Sequence, residues 1–327
     1  MSTQAPARPL RARIPHQSAA RSRLGTLGVI VILALLPLIF PAWTSFLIVV
    51  GIYFLAVLGL DMFVGQTGQV SLGQTLFFAI GAYGGGILTL DHGVPTLAAT
   101  AIMAVASAAV AYLLGRPFLR LRGYYLALAT LGLAVITQST ATGLTSLTGG
   151  PSGLSGMPNL AIGTYVFESD PANYYVVLAL GLIAALLVTG IRRSAAGRAL
   201  AAIAGDQQAA AMLGVDPATY KTRAFVLAAT FASIAGSLFA FYNRFVSPES
   251  VSVVMALNFV IMLAIGGSRT LLGPLLGVLL IQALPQASQS FARYEPLLAG
   301  LVLVVVITYL PDGLWGGIRA FATRRRR

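Results

Sequence analysis

Residues 58–89 of the chain read LGLDMFVGQTGQVSLGQTLFFAIGAYGGGILT. Within them a polar stretch, residues 64–74 (VGQTGQVSLGQ), separates two strongly apolar runs. Glycines at positions 65, 68 and 73 disfavour a continuous helix, and irregular backbone at membrane depth is tolerated only where protein or a water-filled cavity supplies hydrogen-bond partners. The sequence therefore predicts a broken segment near 64–74, which either re-enters the membrane or forms a short cytoplasmic turn.

The composition of the whole chain indicates a membrane protein. Of its 327 residues, 57% are hydrophobic and only 9% are charged, and the mean hydropathy is +0.85. A water-soluble domain needs more polar surface than this to cover its core. We therefore expect an all-α polytopic integral membrane protein with about ten transmembrane helices, each close to the roughly 20 residues that cross the hydrocarbon layer. The predicted spans are 24–41, 44–63, 72–90, 96–115, 124–143, 174–191, 222–242, 253–265, 271–288 and 296–310.

The basic residues predict the orientation of these spans. Alternate crossings from a cytoplasmic N-terminus place 19 of the 21 lysines and arginines on the cytoplasmic side, as the positive-inside rule requires. Both termini are therefore predicted to be cytoplasmic. The chain divides into a basic tail at 1–23, a single transmembrane domain at 24–318 and a basic tail at 319–327 that would contact anionic membrane lipids. Since the net charge of +12 forms no single surface patch, we expect no nucleic-acid partner.

Polar groups in and just before the break are candidates for a translocation pathway. Apart from one aspartate they donate and accept hydrogen bonds without net charge, which suits a path that passes a polar solute without holding it tightly. The candidates are Asp61, Gln66, Thr67, Gly68, Gln69, Ser71, Gly73 and Gln74.

Asp61 is the carboxylate inside a predicted span, where a charge costs about 2.5–3.5 kcal/mol on insertion scales. Such a group is a functional candidate, because it could meet a substrate ammonium or carry a proton. It also lies close to the predicted cytoplasmic end of its helix, where it could reach water or cap the broken backbone. We favour this second, structural interpretation.

Several kinds of chemistry are excluded by the residues that the sequence lacks. The chain has no cysteine, and its two histidines, His16 and His92, lie outside the predicted spans. A thiolate metal site, a thiol nucleophile and a Ser-His-Asp arrangement within the membrane are therefore excluded. The chain also has no G-x-x-x-x-G-K-[ST] phosphate loop. We expect no catalytic residue, no metal site, no cofactor and no ATPase activity in this chain.

Two long loops carry further signals. In the cytoplasmic loop 192–221, Asp206 is a plausible N-cap of a short helix at 207–213, Gly214 ends it and Pro217 prevents its continuation. In the outer loop 144–173, Thr148, Gly149, Gly150 and Gly153 permit tight turns. Loops of this length are commonly functional, and we interpret the outer one as an ordered gate or a docking face.

Six blocks of sequence, in order along the chain, carry a family resemblance. They are residues 58–89 as quoted above, LRGYYLALATLGLAVI (121–136), LTGGPSGLSGMP (147–158), AAGRALAAIAGDQQAAAMLGVD (195–216), IGGSRTLLGPLLG (265–277) and YLPDGLWGG (309–317). Together they resemble the permease subunits of ABC importers for branched-chain amino acids, of the LivM type. The transmembrane domain is accordingly expected to be a permease domain.

The resemblance implies a set of partners in a bacterial inner membrane. Such permeases work in pairs with a second, paralogous permease, beneath a periplasmic solute-binding protein and above two cytoplasmic ATPase subunits that use ATP and Mg. In the wider importer class, the permease contacts its ATPases through a loop with the pattern E-A-A-x-x-x-G. In this chain Gln208 stands in the place of the Glu. The implied ATPase-coupling residues are Arg198, Asp206, Gln208, Ala209, Ala210 and Gly214.

Two alternatives stay open on the sequence. A permease for urea or short amides would share these motifs, because the solute is chosen largely by the binding protein. An ion-coupled secondary carrier or a channel is a different class, and Asp61 would then be its candidate coupling carboxylate.

Overall fold

The computed structural model of the chain describes residues 33–121, 123–163, 165–287 and 313–317, together with the single positions 300, 304 and 308. The chain folds as two compact units, Met1–Pro41 and Ala42–Arg327. In the first unit the described residues 33–39 are helical and are named α1. The predicted tails at 1–23 and 319–327, and most of the predicted span 296–310, lie outside the described residues.

The second unit is built mainly from helices. They are α2 (Thr44–Thr67), α3 (Gln74–His92), α4 (Thr96–Phe118), α5 (Tyr124–Gly143), α6 (Thr145–Thr148), α7 (Asp170–Arg193), α8 (Ala195–Gly205), α9 (Gln207–Met212), α10 (Pro217–Asn243), α11 (Val253–Gly266) and α12 (Leu272–Ala287). Four two-residue strands lie in the loops between them: β1 (Leu154–Ser155), β2 (Ala161–Ile162), β3 (Tyr165–Val166) and β4 (Phe245–Val246).

Five of the described helices are long and apolar enough to cross a membrane. They are α2 with the 3₁₀ turn before it, α4, α5, α7 and α10, and they coincide with five of the ten predicted spans. The expectation of an all-α polytopic membrane protein is thereby confirmed. Helix α3 has 19 residues and is about 28 Å long at 1.5 Å per residue. Helices α11 and α12 are shorter, with 14 and 16 residues.

Helices α2 and α10 lie at the centre of this unit. Their most apolar windows are 67% and 72% buried, whereas those of α4 and α7 are 28% buried and expose apolar side chains outward. The backbones of α3 and α10 touch, since a Cβ atom on Gly81 would lie 1.9 Å from the Ser233 carbonyl oxygen and one on Gly236 would lie 2.0 Å from that of Phe78. Small residues thus allow the close helix packing that lipid-embedded bundles use.

The predicted break is present, but it is narrower than residues 64–74. Helix α2 continues through Thr67, and Gly68 then ends it in the left-handed conformation, with φ of 69°. Helix α3 begins at Gln74, so the irregular segment is 68–73. Gly65 was expected to help interrupt the helix, but a helical glycine costs only about 1 kcal/mol, which the packing of a buried helix outweighs.

The outer loop 144–173 is ordered around the short strands. Strand β1 pairs antiparallel with β4, which follows α10, so that Leu154 faces Val246 and Ser155 faces Phe245. Strands β2 and β3 form a small hairpin within the loop. The hydroxyl of Thr96, at the start of α4, accepts a hydrogen bond of 2.8 Å from the backbone N–H of Ala161. The loop is therefore tied to the ends of two other helices.

Loops that the sequence assigns to one side of the membrane contact one another. The predicted cytoplasmic residues Arg192 and Arg269 meet Asp61 near the end of α2. The predicted outer residues Ser45 and Asp170 are joined by a hydrogen bond of 2.6 Å. These contacts thus join predicted cytoplasmic segments to one another and predicted outer segments to one another, in agreement with the positions of the basic residues.

Candidate functional site

Gln74 lies at the N-terminus of α3, where three helices meet. Its side-chain Nε2 donates hydrogen bonds of 2.9 Å to the carbonyl of Ala56 on α2 and 3.2 Å to the carbonyl of Ala228 on α10. The side chain is buried. In this conformation Gln74 therefore connects helices, and both protons of its amide are used by protein.

Several polar groups of the irregular segment 68–73 are hydrogen-bonded within or next to the segment. The Thr67 hydroxyl donates to the Phe63 carbonyl at 2.7 Å and accepts from the backbone N–H of Gln69 at 3.3 Å. Ser71 Oγ accepts from the backbone N–H of Gly73 at 3.4 Å. Local hydrogen bonds of this kind are how an irregular segment survives at membrane depth.

Other residues of the segment rest on neighbouring helices. The backbone N–H of Leu72 donates to the Thr130 hydroxyl of α5 at 3.0 Å, and Gly73 packs against the same threonine. Gly68 lies against Ala204 of α8. The segment is thus held between α5 on one side and α8 on the other.

The other two glutamines of the predicted pathway are Gln66 and Gln69. Gln66 is buried in the last turn of α2. The side-chain oxygen of Gln69 is buried and has no hydrogen-bond partner among the described residues. An unsatisfied buried acceptor is costly, so Gln69 is the group of the segment most in need of a water or a solute.

Asp61 is fully buried, and both of its carboxylate oxygens are engaged. One forms an ion pair with Nη2 of Arg192, in the last turn of α7. The other accepts a hydrogen bond of 2.8 Å from the backbone N–H of Arg269, in the turn between α11 and α12. Asp61, Arg192 and Arg269 are named the Asp61 cluster below. In this conformation the cluster leaves no carboxylate oxygen open to a solute.

Two further features fix the Asp61 cluster in place. Arg269 adopts a left-handed backbone conformation, with φ of 63°, and its Nε donates to the carbonyl of Gly65 at 2.7 Å. Gly65 has no side chain, and a Cβ atom there would lie 2.1 Å from the Asp61 carboxylate. The glycine therefore makes room for the carboxylate one turn below it.

The loop 192–221, predicted to be cytoplasmic, contains the predicted short helix. The Asp206 carboxylate accepts hydrogen bonds from the backbone N–H groups of Gln208 at 2.8 Å and Ala209 at 3.1 Å, which confirms it as the N-cap of α9. The helix ends at Met212, one residue before the predicted end, and Gly214 follows with φ of 83°. Pro217 then opens α10.

The exposed side of α9 is apolar at its end. Met212 is 90% exposed and Leu213 is 83% exposed. Gln208 and Ala209 are exposed as well, but Ala210 is buried against the rest of the protein. Ala210 therefore packs against this chain, whereas Ala209 and Ala211 on either side of it are exposed.

Helix α8 was missed on the sequence, where its residues were assigned to the loop. Its buried residues Gly197, Leu200 and Ile203 recur every three positions, and this spacing is the signal that could have found it. Arg198 on this helix donates to the carbonyl of Arg193 at 3.2 Å. It thereby closes the junction between α7 and α8.

The contact of Lys221 was also not predicted from the sequence. This residue is buried on α10, and its Nζ donates a hydrogen bond to the side-chain oxygen of Gln207 at the start of α9. Near it, Asp216 caps α10, and the Thr219 hydroxyl beside Asp216 holds the pKa of that carboxyl below its usual value, helped by the backbone N–H groups of Ala218 and Thr219. The start of α9 is therefore anchored to α10.

The candidate residues of the outer loop shape its turns. The Thr148 hydroxyl donates to the carbonyls of Ala141 at 2.7 Å and Leu144 at 2.8 Å. A Cβ atom on Gly149 would lie 2.1 Å from the Gly153 carbonyl oxygen, and Gly150 packs against Thr145. Gly153 approaches the backbone of Val246 on β4. All four residues thus hold the loop in one compact conformation.

A second polar cluster lies at the other end of α2 and α7. The Asp170 carboxylate accepts hydrogen bonds from the Ser45 hydroxyl at 2.6 Å and from the Tyr242 hydroxyl at 3.4 Å. These three residues are named the Asp170 cluster below, and they are exposed or partly exposed. Among the described residues there is no group of three or more histidine, aspartate or glutamate side chains that could hold a metal ion.

Comparison with known proteins shows which family the chain resembles. A family model described as "Branched-chain amino acid transport system / permease component" matches residues 43–307. The chain is similar to the high-affinity branched-chain amino acid transport system permease protein LivM of Salmonella typhimurium, with 32% identity over 286 residues, 80% of this chain and 67% of LivM. LivM of Escherichia coli K12 is similar to the same extent. The permease protein LivH of Escherichia coli K12 is 23% identical over 291 residues, 81% of this chain and 91% of LivH. No solved structure gives a significant match.

Proposed function

Because the chain belongs to the family of branched-chain amino acid transport permeases, we propose that it forms one half of the translocation path of an ABC importer. The match over residues 43–307 is the observation that carries this proposal, and it confirms the resemblance found in the sequence. The importer would work by alternating access, in which separate ATPase subunits switch the path between outer and inner openings.

The proposed solutes are branched-chain amino acids. The named relatives are permeases of branched-chain amino acid transport systems, and none of them favours urea or short amides. An ion-coupled carrier would need a carboxylate that is free to bind its ion. Asp61, the candidate for that role, is committed to Arg192 and Arg269.

The proposed partner on the same membrane is a second, paralogous permease. LivM and LivH are two different permease proteins, and this chain is similar to both. Helix α5 offers a surface for such a partner, because its exposed face combines Val135 and Ile136 with the hydroxyls of Ser139 and Thr140 and with Gly143. Small and hydroxyl-bearing residues on a helix face allow a second helix to pack closely against it within the membrane.

The proposed cytoplasmic partners are two ATPase subunits, which would bind ATP and Mg. The coupling residues would be Arg198, Asp206, Gln208, Ala209, Ala210 and Gly214. In support, α9 is a capped helix that presents Met212 and Leu213 to the outside, and apolar side chains of this exposure are typical of a docking surface.

The remaining elements of the proposal follow from the family and the two loops. The outer loop, with Thr148, Gly149, Gly150 and Gly153, would meet a periplasmic solute-binding protein, and the multi-pass chain would lie in a bacterial inner membrane. We retain ten spans with both termini in the cytoplasm. The path would pass the irregular segment 68–73, where Gln69 keeps a side-chain oxygen unsatisfied by the described protein.

The test is to isolate the tagged chain from its native membrane under mild conditions and to identify its partners by mass spectrometry. Two ATPases and a second permease are expected. The recovered complex, placed in proteoliposomes with the binding protein, should take up labelled leucine only when ATP is supplied. Uptake that is driven by an ion gradient without ATP would instead establish a secondary carrier.

A further inference from the structure

The Asp61 cluster joins three parts of the chain that lie far apart in sequence. Asp61 is on α2, Arg192 ends α7, and Arg269 lies in the turn between α11 and α12. A single carboxylate uses one oxygen for Arg192 and the other for Arg269. If α7 moves relative to the α11–α12 turn, either Asp61 moves as well or one of its two contacts breaks.

The cluster lies at the base of the cytoplasmic loop. Arg192 is followed by Arg193 and Ser194, and Ser194 separates α7 from α8. Helix α8 leads directly to α9 through Asp206, and it also contacts Gly68 in the irregular segment. A continuous run of elements thus leads from α9 through α8 to the end of α7, where Arg192 is paired with Asp61 of α2.

Stability alone gives a weak reason for an ion pair in this position. Removing two charges from water costs several kcal/mol per ion, and well-packed apolar residues in the place of a buried pair are often equally stable or more stable. Arg192 also makes the pair through Nη2 alone, and its Nε is buried without an acceptor among the described residues. The pair is costly to bury and has only one hydrogen bond. These two properties favour a role in fixing the position of α7 relative to α2 over a role in stability.

We propose that Asp61, Arg192 and Arg269 form a mechanical latch that makes movement of the cytoplasmic loop a movement of α2 and of the α11–α12 turn. This inference rests on the proposed function, because it assigns the residues through which ATPase-driven motion reaches the translocation path. Asp61 is then a positioning residue. It acts through the helices it connects, and its carboxylate does not touch the solute.

The test compares uptake with ATP hydrolysis in proteoliposomes that contain the complete transporter and the binding protein. Asp61→Asn and Arg192→Gln each remove the ion pair. We expect the number of solute molecules taken up per ATP hydrolysed to fall on the order of tenfold, a typical size for the loss of coupling between two sites. ATP hydrolysis by the assembled complex should remain.

Matched variants separate the latch from a loss of charge or of folding. Arg193→Gln removes the same charge from the neighbouring, exposed position and should leave the ratio unchanged. Arg192→Lys keeps the charge and should retain most of the uptake. The double variant Asp61→Asn with Arg192→Gln contains no unpaired buried charge, so it should assemble better than either single variant. Its ratio of uptake to hydrolysis should nevertheless stay low.

The outcomes are distinct. A double variant that recovers uptake together with assembly would show that the pair only supports folding, and this would overturn the latch. An unchanged ratio in both single variants would overturn it as well. A wild-type complex without ATP-driven uptake would overturn both this inference and the proposed function, whereas active wild type with unaffected variants removes the latch alone.

Discussion

The Asp61 cluster and the Asp170 cluster connect the same two helices, α2 and α7, at opposite ends. Ser45 and Asp61 are 16 residues apart on α2, which corresponds to about 24 Å. Asp61 is fully buried and is paired with an arginine, whereas Asp170 is exposed and accepts hydrogen bonds from two uncharged hydroxyls. Charges attract more strongly where water is excluded, so the buried cluster is the stiffer of the two connections.

The difference assigns unequal tasks to the two ends of the helix pair. At the Asp61 end the partners lie on the cytoplasmic loop and on the α11–α12 turn, the parts expected to move with an ATPase. At the Asp170 end Tyr242 adds α10, and the bonds are of a kind that water can replace. The proposed latch therefore places the transmission of force at the Asp61 end, while the hydrogen bonds at the Asp170 end can be replaced by water with little loss of free energy.

The largest expected effect is on the Asp61 end. Asp61→Asn leaves the largely buried guanidinium of Arg192 without its counter-charge, and we expect a loss of about 3 kcal/mol in the free energy of unfolding. The measurement is the thermal unfolding midpoint of the purified complex. Combination with Arg192→Gln should restore most of the loss. If the single variant were as stable as wild type, the comparison between a stiff and a soft end would fail.

A second variant strains the Asp61 cluster without changing any charge. In Gly65→Ala the new Cβ atom would lie 2.1 Å from the Asp61 carboxylate, which is held by two donors and cannot turn away freely. We expect a loss of about 2 kcal/mol in the free energy of unfolding, in the range of overpacked cores.

Its control is Gly132→Ala, on α5, where nothing lies within 4 Å of the new Cβ atom. That change should be neutral or stabilising by up to about 1 kcal/mol, because alanine is the better helix former. Equal stability changes for the two alanine variants would show that the carboxylate is not fixed in place.

The fold could be predicted wherever local composition determines it. Apolar runs of about 20 residues yielded the five long spans, because only a helix satisfies its own backbone in lipid. The cap at Asp206 and the stop at Gly214 could also be predicted, because their hydrogen bonds join residues only a few positions apart. Helix α8 was missed because its buried stripe of Gly197, Leu200 and Ile203 includes a glycine and is only three residues long.

The candidate site was less predictable, because its contacts are between distant parts of the chain. The sequence indicated that Asp61 has a structural role near the end of its helix, but it named neither Arg192 nor Arg269 as a partner. Those pairings depend on how α2, α7 and the α11–α12 turn pack, which no local pattern encodes. The one available hint was that all three residues lie at predicted cytoplasmic ends.

At the opposite end of the molecule the outer loop offers a smaller perturbation. Gly153 has φ of 72° and ψ of 179°, a conformation essentially restricted to glycine, and a Cβ atom there would also lie 2.5 Å from the Val246 carbonyl oxygen. Gly153→Ala should therefore weaken the β1–β4 pairing by about 1–2 kcal/mol. Hydrogen exchange at residues 153–156 and 245–246 measures this loss directly.

Gly156→Ala is the matched control for that variant. Gly156 also has a positive φ, of 85°, but nothing lies within 4 Å of its Cβ position. Both variants place an alanine at a positive φ, and only Gly153→Ala adds the contact with β4. Faster exchange at 245–246 in both variants alike would mean that the loop does not depend on this close approach.

The smallest effect is expected at the Asp170 cluster itself. In Asp170→Asn the amide oxygen can still accept the 2.6 Å hydrogen bond from Ser45, and the 3.4 Å contact with Tyr242 is weak at the outset. The change in the free energy of unfolding should stay within about 1 kcal/mol, as for other exposed polar contacts. Uptake per ATP should equal that of wild type, because the hydrogen bonds of Asp170 go to Ser45 and Tyr242 and none of them reaches the loop 192–221. A fall in that ratio comparable with that of Asp61→Asn would show that both ends of the α2–α7 pair transmit force, and that burial does not distinguish them.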